Sequence, residues 1–158
     1  MMSIKIFLHG LESSNKGTKS VFFRERYPDM IIPNFIGPLQ QRMDKLDRIL
    51  SGKKGIRLVG SSFGALMATL FAMQNEPSVE KMILLAPAIN LIEFAPHERR
   101  QISSPVSIYH GKDDQVIPLA QVEPIAKEIF LNLSFSVVED DHYLHSTFKT
   151  IDWDSFLA

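Results

Sequence analysis

Short apolar runs alternate with helical patterns along the whole chain, and this alternation restricts the fold more than any other feature. Ile4 to Leu8, Met30 to Ile32, Ile56 to Val59, Met82 to Leu85, Val106 to Tyr109 and Leu133 to Val138 read as strands, six in all. Between them, Lys16 to Arg26, Leu39 to Leu50, Phe63 to Gln74 and Leu119 to Phe130 carry helical patterns, and Thr147 to Leu157 does so weakly. Strands separated by helices pair in parallel through crossovers. Their continuous apolar character implies cover on both faces. The expected fold class is therefore α/β, a three-layer α/β/α sandwich with about six mostly parallel strands.

The chain has 158 residues, enough for one good core, and is read as a single domain, 1–158. A short stretch around 89–102 is the one expected insertion over the strand ends, and it is lid-like. A formal net charge of −1 argues against nucleic acid as the main partner. Zero cysteines exclude disulfides, thiolate nucleophiles and cysteine zinc ligands together. The most apolar run, Phe63 to Met73, is too short for a membrane span, which takes about 20 residues. The start of the chain lacks a leader pattern, so a cytoplasmic location is expected.

In open α/β sheets, ligands bind beyond the carboxyl ends of the strands. Four such ends carry candidate chemistry: His9-Gly10-Leu11, Gly60-Ser61-Ser62-Phe63-Gly64, Gly111-Lys112-Asp113-Asp114 and Asp140-Asp141-His142-Tyr143-Leu144-His145. The second is a G-x-S-x-G sequence between a strand and a helix. A turn that tight strains the serine backbone and needs small neighbours, here Gly60 and Gly64, and it exposes the Ser62 hydroxyl. The helix start behind Ser62 is electropositive, and the Phe63 amide is placed to hold an oxyanion.

A serine needs a base. His97 lies in a polar stretch and reads as a surface residue, and His110 reads as structural. His142, in the polar loop past the last strand, is preferred over His145, which falls where the final helix should begin. The base needs an acid to hold its tautomer. Asp113 and Asp114 both follow the fifth strand, and one of them is expected to serve only the turn. The second oxyanion donor is expected after the first strand, from the Leu11 amide, with Gly10 allowing the turn and His9 bracing the loop.

At these residues the chain resembles the α/β-hydrolases, and more narrowly a family of small bacterial serine esterases with a minimal fold. The resemblance rests on Phe7-Leu8-His9-Gly10-Leu11-Glu12-Ser13-Ser14, Val59-Gly60-Ser61-Ser62-Phe63-Gly64, Leu84-Leu85-Ala86-Pro87-Ala88 and His110-Gly111-Lys112-Asp113-Asp114-Gln115-Val116-Ile117-Pro118, with the acidic loop before His142. It implies Asp114 rather than Asp113 as the acid and His142 as the base. It also implies a sheet without the antiparallel strands that usually open the fold. Relatives commonly have Gly shortly before this His, whereas Glu139, Asp140 and Asp141 stand here. That departure bears on the pH optimum more than on the assignment.

The expected activity is hydrolysis of a small carboxylic ester or thioester through an acyl-serine, with no cofactor and no metal. The expected partner is the small-molecule acyl substrate. Two alternatives keep the same residues: an acyltransferase, and a non-catalytic hydrolase-like scaffold. Two rivals fit less well. Gly10 and Gly17 are seven apart, with Thr18 before Lys19, which misses phosphate-loop spacing. A zinc site at Asp140, Asp141, His142 and His145 lacks a ligand from another segment.

Overall fold

The computed structural model describes residues 3–95 and 100–157. Among the described residues, five strands and five α-helices follow one another: β1 Ile4–Leu8, α1 Thr18–Arg26, α2 Leu39–Leu50, β2 Ile56–Ser61, α3 Phe63–Asn75, β3 Val79–Leu85, β4 Val106–Gly111, α4 Leu119–Ile129, β5 Leu133–Val138 and α5 Trp153–Leu157. The strands lie in the order β1-β2-β3-β4-β5, and every pair is parallel. Five is one fewer than the sequence suggests. The run at Met30 to Ile32 makes only a single parallel bridge, Ile31 to Ile6 on β1. Pro33 follows it at once, has no N–H to give and ends the pairing.

That bridge explains the path of the chain. From β1 the chain runs past the outer side of β1 and then returns to form β2 on its inner side. The sheet therefore changes direction between β1 and β2, where α/β sheets open a crevice at their carboxyl ends.

Side chains alternate across the sheet although the strands are apolar throughout. Ile6, Leu8, Leu58, Met82, Leu84 and Ile108 face a core shared with α2, α3 and α4. Phe7, Val59, Ile83 and Leu85 face the other layer, formed by Phe23 and Tyr27 of α1 and by Trp153, Phe156 and Leu157 of α5. Phe23 sits edge-on to Trp153 at 4.8 Å between ring centres. This is the three-layer sandwich. Helix α3 is buried from Gly64 through Met73, in keeping with its apolar surface all round. Its Thr69 hydroxyl donates back to the Ala65 carbonyl at 2.8 Å, so no polar group is stranded there.

The stretch expected to be lid-like begins as a 3-10 helix, Ile89–Phe94. His97 and Arg99 lie outside the described residues. Among those described, no helix is long and apolar enough to cross a membrane.

Candidate active site

Ser62 joins β2 to α3 with φ 55° and ψ −114°. A side-chain-bearing residue at positive φ is strained and persists only where its surroundings hold it. Here the neighbouring strand does so. The Ser62 N–H donates to the Leu85 carbonyl at 2.8 Å, and the Ala88 N–H donates to the Ser62 carbonyl at 3.0 Å. The flanking glycines answer to close approach. A Cβ on Gly60 would lie 2.6 Å from the Gly64 carbonyl oxygen and 2.7 Å from the Ala65 Cα. A Cβ on Gly64 would run into the Leu8 carbonyl and lie 2.7 Å from the His9 oxygen.

Ser62 Oγ lies 3.1 Å from Nε2 of His142, and Nδ1 of His142 lies 2.8 Å from Oδ2 of Asp114. An ionised carboxylate can only accept, so Nδ1 carries the proton and Nε2 turns its lone pair to the serine hydroxyl. Oδ1 of Asp114 accepts the amides of Val116 and Ile117 at 2.9 and 2.8 Å. The carboxylate is buried and oriented from both sides. Its neighbour Asp113 is exposed.

His110 is fully buried beside this acid, its Nε2 3.4 Å from Asp114 Oδ2. The same nitrogen donates to the Ile117 carbonyl at 2.8 Å, and its Nδ1 has no partner among the described residues. Burial pushes its pKa below the ordinary imidazole value, so the ring is neutral.

The carboxylates before His142 turn elsewhere. Glu139 is exposed and lies 3.8 Å from Lys112. Asp140 accepts the amides of Asp141, Ser146 and Thr147. Asp141 accepts from the Tyr143 amide and pairs with His145 Nδ1 at 2.9 Å. His145 is thus an exposed partner of Asp141, away from Ser62. Lys19 reaches from α1 to the Tyr143 carbonyl at 2.8 Å and pins the loop next to His142. Among the described residues, no group of three or more His, Asp or Glu side chains is arranged to hold a metal.

The loop after β1 lies against the serine. His9 is buried, its Nδ1–H donates to the Gly10 carbonyl at 2.7 Å, and its Nε2 accepts the Phe35 amide at 2.9 Å. Burial lowers its pKa, with Arg42 and Lys45 acting in the same direction. Gly10 is not at positive φ, so the turn does not demand a glycine there. A Cβ at Gly10 would stand 3.6 Å from the Ser62 Cβ, and its absence leaves space at the hydroxyl. Among the described residues, neither the Leu11 nor the Phe63 amide donates a hydrogen bond to another group.

The sequence gives little notice of Arg42, which is buried under this loop at 5% exposure. Its one signal is its place on α2, one turn before Leu46 on the apolar stripe.

No protein-family model and no curated protein matches the chain. Solved structures do. Est1E from Butyrivibrio proteoclasticus, with ferulic acid bound, superposes with a TM-score of 0.76 at 14% identity, covering 94% of this chain and 84% of that one. Mouse alpha/beta hydrolase domain-containing protein 10 gives a TM-score of 0.75 at 16% identity, covering 91% and 83%. An epoxide hydrolase from Bacillus megaterium gives 0.72 at 12% identity, covering 95% and 90%. The chain has the α/β-hydrolase fold. Proteins of this fold include an epoxide hydrolase, so the fold alone does not select the reaction.

Proposed function

We propose that this protein is a serine hydrolase of small carboxylic esters or thioesters. The observation that carries the proposal is the unbroken hydrogen-bond chain from Ser62 through His142 to Asp114. The strained backbone of Ser62 and the two unengaged amides beside it support the same reading.

In this mechanism Ser62 Oγ attacks the acyl carbonyl carbon while His142 Nε2 takes its proton. The carbonyl π electrons move to oxygen, and the Leu11 and Phe63 amides hold the resulting oxyanion. The tetrahedral intermediate collapses, the bond to the leaving oxygen or sulfur breaks, and His142 returns the proton to that atom. Water then attacks the acyl-serine with His142 as base, which releases the acid and restores Ser62. Asp114 holds the Nδ1–H tautomer and stabilises the imidazolium throughout.

Labelling with a fluorophosphonate followed by peptide mapping tests this. The expected result is one adduct, on Ser62, lost in Ser62→Ala. No adduct, or an adduct on another residue, overturns the proposal.

A further inference from the structure

We infer that Arg42 is a positioning residue for oxyanion stabilisation, an inference that rests on the serine-hydrolase reading. Its guanidinium touches three separate segments. Nε donates to the Gly37 carbonyl at 2.8 Å, and Nη2 reaches the Leu11 carbonyl at 3.4 Å. The group also lies over the Phe63 ring, its Cζ 5.4 Å from the ring centre. Leu11 and Phe63 are the two residues whose amides the mechanism requires.

The peptide planes on both sides of Leu11 are thereby fixed. On the N-terminal side, His9 holds the Gly10 carbonyl. The Leu11 N–H belongs to that same planar unit and points the opposite way. On the C-terminal side, Arg42 holds the Leu11 carbonyl. With both planes held, the Leu11 amide keeps one orientation. Contact with Phe63 ties the second donor to the same rigid plane. Lysine has a single point of charge and cannot span these contacts as a planar fork does.

The electrostatics are unusual for a residue of purely structural value. Among the described residues, Arg42 Nη1 is buried without a partner, and no carboxylate pairs with the guanidinium. A buried cation without a counter-charge costs stability. Here it stands behind the point where negative charge develops. Its field favours the intermediate over the neutral ester, which is a difference that accelerates the reaction.

The test compares wild type, Arg42→Met and Arg42→Lys, each checked for folding by circular dichroism. The readouts are turnover of a short p-nitrophenyl ester, affinity for an alkyl boronic acid that forms a tetrahedral serine adduct, and affinity for the product carboxylate. Folded Arg42→Met is expected to lose about tenfold in kcat, less than the 10²–10³ of a direct oxyanion donor, with KM within about twofold. Boronate affinity should fall by a similar factor while product affinity holds. Arg42→Lys should lose activity to a smaller degree. Wild-type kcat and boronate affinity in either folded variant overturn the inference, and Arg42→Lys decides the matter if Arg42→Met does not fold. A wild type that fluorophosphonate fails to label overturns the hydrolase reading itself, before any variant is compared.

Discussion

Asp114 holds the His142 ring by its Nδ1, oxygen to nitrogen at 2.8 Å, and so decides which ring nitrogen faces Ser62. Replacing that oxygen by an amide NH₂ inverts the preference. In Asp114→Asn the side-chain oxygen keeps the Val116 and Ile117 amides, while the NH₂ turns to His142 and selects the Nε2–H tautomer. The fold should survive, and kcat should fall by a factor on the order of 10³–10⁴. Asp113→Asn, at an exposed position, should stay within about twofold of wild type. Steady-state kinetics of the two variants check this, and equal activities would move the acid away from Asp114.

Gly64 and Gly10 should respond differently to the same added methyl. At Gly64 the new Cβ meets the Leu8 main chain, which cannot step aside. Gly64→Ala is expected to cost at least about 3 kcal/mol, the upper end for overpacking, read by denaturant unfolding. At Gly10 the new Cβ meets only ordinary contacts, 3.6 Å from Ser61 O and from Ser62 Cβ. Gly10→Ala should melt close to wild type and lose activity preferentially on bulky acyl groups.

Two buried histidines predict how stability follows pH. Burial pushes His9 and His110 below the ordinary imidazole value of 6.5, so both are neutral in the folded protein. As pH falls, the unfolded chain takes up protons at these sites first. Stability rises with pH wherever the unfolded state binds more protons. The melting temperature should therefore drop as pH falls through about 6.5, levelling off only below the depressed folded-state values. The carboxylates act in a lower window. Partial burial pushes Asp140 up, but its hydrogen bonds from Asp141, Thr147 and Ser146 prevail and hold it below its ordinary 3.8. Its contribution is lost only as pH falls below that value. Thermal melts between about pH 8 and 5 check the histidine effect, and His110→Gln should flatten the slope.

Much of the candidate site leaves local marks in the sequence, and the rest does not. Ser62 is flagged by its own turn, because the close contacts at Gly60 and Gly64 admit only glycine within two residues of it. His142 and the aspartate pair are found because strand ends are where such sheets bind ligands. Choosing between Asp113 and Asp114 needs either a family resemblance or a view of which side chain turns inward. Arg42 does not stand out, since its surroundings are assembled from distant segments. Arg42 and Leu11 are 31 positions apart. The second apolar run reads as a strand from its composition, but Pro33 limits its pairing to one bridge.

The tie between Ser62 and the end of β3 has a consequence for biogenesis. Both backbone groups of Ser62 are engaged by residues 85 and 88, which are made more than twenty positions later. A nascent chain that has released only its first eighty residues carries the whole motif but lacks these two partners, and keeps only the Ala65 and Leu66 amides on the Ser62 carbonyl. On the serine-hydrolase reading, reactivity at Ser62 is expected late, once β3 has docked beside β2 and the later segments have brought Asp114 and His142 to it. An unfinished chain is then expected not to acylate itself on passing esters, and fluorophosphonate labelling at Ser62 is expected to follow the completion of the fold.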